Sequence, residues 1–121
     1  MIEQPTEITL HQHSRELEIA FSDGSRHRLP YEFLRVYSPS AEVRGHGPGQ
    51  EVLQIGKQDV NVLGIEPVGS YALKISYDDD HDTGLYSWEY LRYLGSNHET
   101  LWHDYLQKME AAGKTRQPSR G

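Results

Sequence analysis

The residues best suited to chemistry lie in one short run, Asp78-Asp79-Asp80-His81-Asp82. Carboxylates with one imidazole suit a hard or borderline divalent cation. The candidate ligands are His81, Asp79 and Asp82. Their spacing matches no EF-hand loop, and a solvated acidic turn between a strand and a helix is the plainer explanation. A second group is the loop Arg44-Gly45-His46-Gly47-Pro48-Gly49. Arg44, His46 and backbone N–H groups could hold an anion there. The loop is no P-loop, since Gly-x-x-x-x-Gly-Lys-Ser/Thr is absent, and conformational need alone explains its glycines. A third group is aromatic. Tyr90 and Tyr93 fall on the outer side of a helical stretch whose inner side carries Trp88 and Leu91, which makes them candidates for a contact surface. His11 and His13 share a strand face, but two ligands without a third make a weak metal site.

No catalytic residue is assigned. The iron oxygenases need His-x-Asp/Glu with a distant His. The residues two places after the seven histidines are His13, Arg15, Leu29, Pro48, Thr83, Thr100 and Tyr105, none of them acidic. A Gly-x-Ser-x-Gly elbow is absent. His103-Asp104 has no nucleophile beside it. The chain contains no cysteine, which removes disulfides, thiolate zinc sites, cysteine-ligated iron–sulfur clusters and cysteine nucleophiles together. No cofactor is expected, apart from the divalent metal that His81 and its neighbours could take.

The elements that must position these groups can be read in order. Residues 1–5 form a short tail. Thr6–Gln12 and Arg15–Phe21 alternate as strands, with Leu17, Ile19 and Phe21 inward. Ser22-Asp23-Gly24-Ser25 marks a hairpin. A two-residue loop would put Arg26 and Arg28 on the core face, so a three-residue loop is preferred, pairing Leu17 with Leu29 and Ile19 with His27. Pro30 opens a short helix carrying Tyr31 and Leu34. Ser38–Gly49 reads as a loop. Val60–Val68 and Tyr71–Tyr77 read as strands, with Tyr71, Leu73, Ile75 and Tyr77 on one face. Ser87 caps a helix that Gly95 stops. Ser96 and Glu99 match a capping box for the next helix, which Gly113 ends. The domain is expected over 6–112, and 113–121 is a basic flexible tail.

The totals agree with one small domain. The chain has 121 residues, 36% hydrophobic content, eight Tyr and a formal charge of −6. That charge argues against nucleic acid or an anionic membrane as a general partner. There is no signal peptide pattern and no long apolar run, so a cytoplasmic location is expected.

Three segments together, DGSRHRLPYEFLR, VRGHGPGQ and IEPVGSYALKISYDDDHDTGLYSWEYL, resemble the gamma-butyrobetaine hydroxylase-like N-terminal domain family, over roughly Thr6–Leu94. The resemblance implies an α+β fold: a small antiparallel sheet with a short helix after the first hairpin and C-terminal helices packed on it. The family occurs alone in small bacterial proteins, ahead of hydroxylase catalytic domains, and joined to iron–sulfur carrier ATPases. None of these settings puts catalysis in the domain. In the hydroxylases it resembles a zinc module with three Cys and one His. The Cys positions fall here at Ser38, Ser40 and Val43, and the His at His81, so three of the four ligands are missing. The favoured expectation is a non-catalytic adaptor that contacts another protein, with self-association open as well. The alternative is a metal-binding or iron–sulfur-linked accessory protein using His81 and nearby carboxylates.

Overall fold

The computed structural model describes residues 4–45 and 49–117. Its first three strands, β1 (Pro5–His11), β2 (Glu16–Phe21) and β3 (Arg26–Pro30), form an antiparallel meander. β1 begins one residue inside the expected tail. The β2–β3 register pairs Leu17 with Leu29 and Ile19 with His27, as the three-residue loop requires. The Phe21 N–H donates to the Ser25 carbonyl at 2.9 Å, and Gly24 takes φ +91°, where a side chain would strain the backbone. Arg26 and Arg28 therefore stay outside, paired with Glu18 and Glu16. Leu17, Ile19, Phe21 and Leu29 are buried together. His11 pairs with Glu18 at 2.6 Å, whereas His13 falls in the β1–β2 turn, so the two histidines do not share a strand face.

Helix α1 (Tyr31–Val36) follows directly. Pro30 ends the strand and precedes the helix instead of occupying its first position. All six residues of α1 are buried, including Glu32 and Arg35. Charged groups can lie inside only when paired and hydrogen-bonded. Arg116 donates twice to the Glu32 carboxylate at 2.7 Å, and Arg35 donates to Asp79 and to Gln54 at 2.9 Å each. The expected loop after α1 contains a one-turn helix, α2 (Ala41–Arg44).

A second antiparallel meander holds β4 (Val62–Val68), β5 (Ala72–Tyr77) and β6 (Leu85–Ser87). The expected single sheet is thus two three-stranded sheets, and the α+β class stands. Leu73, Ile75 and Tyr77 share the buried face, but Tyr71 lies in the preceding turn and is exposed. With three residues, β6 is too short to leave an alternation signal.

Helices α3 (Trp88–Ser96) and α4 (His98–Ala112) close the fold. The Ser87 hydroxyl accepts the Tyr90 N–H at 3.1 Å, the expected cap. Gly95 does not stop α3. It lies within the helix, and the His27 ring occupies the space a side chain would need: a Cβ there would stand 2.5 Å from that ring. Since Ser96 is still helical, it cannot cap α4. Asn97 takes that position without a side-chain capping bond, and its amide donates to the Tyr93 carbonyl instead. Gly113 ends α4 at φ +64°. The segment beyond was expected to be flexible, yet its first residues are tied back. The Thr115 and Arg116 carbonyls accept from the Gly56 and Gln58 N–H groups, and Arg116 lies over the Trp102 ring. The main core draws on both sheets, α1 and α3, while Val36, Tyr105 and Met109 form a smaller cluster under α4. No described helix is long and apolar enough to cross a membrane.

Candidate functional site

The turn after β5 sets His81. The Tyr77 N–H donates to the His81 carbonyl at 3.0 Å, and Asp80 takes φ +66° between them. The ring turns inward, leaving His81 only 4% exposed. Its Nε2 lies 2.8 Å from Ser38 Oγ and 3.3 Å from Ser40 Oγ. Both hydroxyls come from the segment joining α1 to α2, and they are 1% and 4% exposed. Nδ1 has no hydrogen-bond partner. A Glu42 carboxylate oxygen stands 3.3 Å away, within ion-pair range. Burial lowers the His81 pKa, with the Arg35 charge adding to it and Glu42 opposing. The imidazole is accordingly neutral near pH 7.

The acidic candidates look elsewhere. Asp79 accepts from Arg35 at 2.9 Å and from Lys57 at 2.6 Å, and its other oxygen takes the His81 backbone N–H at 3.3 Å. Burial alone would raise the Asp79 pKa, but Lys57 and Arg35 outweigh it and hold it low. Asp82 lies 3.9 Å from Lys74. His81, Asp79 and Asp82 are neighbours in sequence whose side-chain groups face three different partners. Among the described residues, no group of three or more His, Asp or Glu is placed to hold a metal ion.

The zinc correspondence has a partial geometric counterpart. Ser38 and Ser40 do meet His81, two of the three positions where the resemblance implies cysteine in the hydroxylases. The donor set does not suit the ion. Neutral hydroxyls replace thiolates, they already hydrogen-bond the imidazole, and the Val43 side chain offers no lone pair. The residues present do not fit zinc.

Ser38, His81 and Glu42 also stand in the order of a nucleophile, a base and its orienting acid. The surroundings argue against that use. Ser38 Oγ packs on Gly84, where a methyl group would overlap it and stand 3.2 Å from Pro39 Cδ. The Gly84 side of Ser38 is filled, and Ser40 competes for the same ring nitrogen. The arrangement is a buried clasp joining the α1–α2 segment to the β5–β6 turn.

The aromatic candidates converge better. The Arg44 guanidinium lies 5.0 Å from the centre of the Tyr90 ring. Tyr90 stacks on Tyr93 at 6.1 Å and 21°. Tyr90 is anchored, its hydroxyl donating to the Tyr37 carbonyl at 2.5 Å, whereas Tyr93 is 51% exposed. Burial raises the Tyr90 pKa, with Arg44 opposing. His46 lies outside the described residues. The described ends of its loop use their N–H groups internally: Gly45 donates to the Ala41 carbonyl and Gly49 to the Glu51 carboxylate.

Arg44 and Tyr90 border a cleft of about 700 Å³ that sequence reasoning did not find. Its walls come from the end of α1, from α2, from residues 51–54, from α3 and from Tyr105 and Lys108 of α4. Each segment contributes one to four residues, so no local pattern announces it.

A family model, "Gamma-butyrobetaine hydroxylase-like, N-terminal", matches residues 8–92. Two solution structures determined by NMR are similar to the whole chain. One is 47% identical with a TM-score of 0.85, covering 100% of this chain and 95% of that one. The other is 49% identical with a TM-score of 0.83, covering 98% and 88%. A crystal structure from Acidithiobacillus ferrooxidans, described as a protein with unknown function of the DUF971 family, is 39% identical with a TM-score of 0.64 and covers 76% of this chain and 92% of that one. No curated protein matches. With a family model spanning most of its length and close structural relatives along the rest, the chain belongs to the gamma-butyrobetaine hydroxylase-like N-terminal family.

Proposed function

We propose that this protein is a non-catalytic interaction module that recognises another protein through the Arg44–Tyr90–Tyr93 ladder. The ladder itself carries this reading: a guanidinium over one tyrosine, stacked on a second tyrosine that is half exposed. Arg and Tyr dominate the energetic centres of protein interfaces. Tyr90 is fixed from below by its bond to Tyr37, so its ring is placed before a partner arrives and less ordering entropy opposes binding. The buried clasp at His81 supports the loop that carries α2 and hence Arg44.

Site-specific photocrosslinking tests it. A photoreactive residue at Tyr93 should give discrete adducts with a protein partner in cells, and Arg44→Ala should remove most of them. The same residue at Leu63, an exposed position on β4, serves as the control. Identical adduct patterns from both positions would end this reading.

A further inference from the structure

We infer that the cleft beside the ladder is a binding site for a small carboxylate with an apolar body, such as a medium-chain or aryl-substituted acid. Its volume, about 700 Å³, falls in the range of small-molecule sites. Val36, Val43, Val52 and Leu53 give it apolar walls. The side-chain donors on its lining are largely committed within the protein. The Tyr37, Tyr90 and Tyr105 hydroxyls donate to the Leu101, Tyr37 and Gln54 carbonyls at 2.6, 2.5 and 2.7 Å. The Ser38 hydroxyl is taken by His81, and the Gln54 amide donates to the Val52 carbonyl at 2.9 Å.

The side chains placed to meet a ligand acceptor are two cations, Arg44, which lies over the Tyr90 ring, and Lys108, whose charge adds to the backbone hydrogen bonds that hold the Glu51 pKa low. The single acidic lining residue, Glu51, folds back to accept the Gly49 N–H at 3.3 Å. Two cations and one carboxylate give the lining a charge of +1 in a chain whose total is −6. This local reversal of sign selects an anion, and the apolar walls select what the anion is attached to. A peptide is the poorer fit, because each backbone carbonyl it buried would need a donor that the side chains do not offer.

Titration of the labelled protein with octanoate, followed by amide NMR, tests this independently of any protein partner. Saturable shifts are expected at Val43, Val52, Leu53 and Tyr90. Octanol and octylammonium, which share the chain but not the anion, should bind about tenfold or more weakly. Arg44→Gln with Lys108→Gln should cut octanoate affinity by about tenfold and leave octanol unchanged, which separates loss of charge from loss of fold. The inference is overturned if octylammonium binds as well as octanoate, if the double variant keeps octanoate affinity, or if no saturable shift appears at these amides. Crosslinks at Tyr93 without octanoate binding would retain the interaction module and discard the ligand site.

Discussion

His81 ties the α1–α2 segment to the β5–β6 turn through Ser38 and Ser40. Replacing it with Ala removes the hydrogen bonds to Ser38 and Ser40 and leaves two buried hydroxyls short of a partner. A cost of about 2–3 kcal/mol is expected in urea unfolding. The pH dependence follows from its environment. Burial holds the folded-state pKa below the ordinary 6.5, so between those two values the unfolded chain binds more protons. Its contribution is therefore complete above about pH 6.5 and is lost as pH falls through the folded value. His27 and His98 are shifted the same way, first by burial. Stability should drop as pH falls below about 6.5, and the drop should be smaller in His81→Ala. An unchanged pH slope in that variant would show that the ring contributes nothing to it.

Two neighbours of His81 allow sharper tests. Gly84→Ala forces Ser38 out of its place, so a loss of about 2 kcal/mol is expected from a single methyl group, measurable as a lower urea midpoint. Ser38→Cys with Ser40→Cys supplies two thiolates beside the imidazole. That variant should bind Co²⁺ with thiolate charge-transfer absorption that the parent chain lacks. Absence of the band would show that the two positions do not converge closely enough for a metal.

At the scale of elements, the two serines that the sequence offers as helix caps behave differently. Ser87 holds the Tyr90 N–H, so Ser87→Ala should cost about 1 kcal/mol. Ser96 ends α3 and caps nothing, so Ser96→Ala should fall within about 0.5 kcal/mol of the parent. Thermal unfolding of the pair decides it, and equal losses would restore the capping box. The contrast arises because a capping box is a local pattern, while α3 runs through Gly95 to Ser96 and leaves Ser96 inside a helix. His27 of β3 packs on Gly95, so the glycine there answers a tertiary need for space and does not mark a helix end. The hairpin shows the reverse case. There the local pattern and the core demand the same register, and the observed pairing agrees with the one argued from residue faces.

For the whole molecule, the C-terminal segment is a structural strap. Arg116 makes two hydrogen bonds to the buried Glu32 of α1, and the backbone on either side of it bonds to the β4 approach. Arg116→Ala leaves Glu32 buried without its partner. The arginine is about one-third exposed, so the expected loss is tempered by solvent to about 1–3 kcal/mol. A chain ended after Gly113 should lose at least as much. Unchanged urea midpoints in both would show that the strap bears no load.

The sequence by itself determined the elements whose signals are local. Alternation gave every strand but β6, Gly24 the β2–β3 turn, Ser87 and Gly113 two helix ends, and three segments the family and its α+β class. Tertiary structure decided what depends on residues far apart. It split the strands into two sheets, turned His81 toward Ser38 and Ser40 more than 40 positions away, sent Asp79 to Arg35 and Lys57, and assembled the cleft from five segments. The physical reason is the same in each case. A side chain's type fixes which bonds it can make, but a buried donor or charge takes the partner that packing places beside it, and that choice is made only when the core closes.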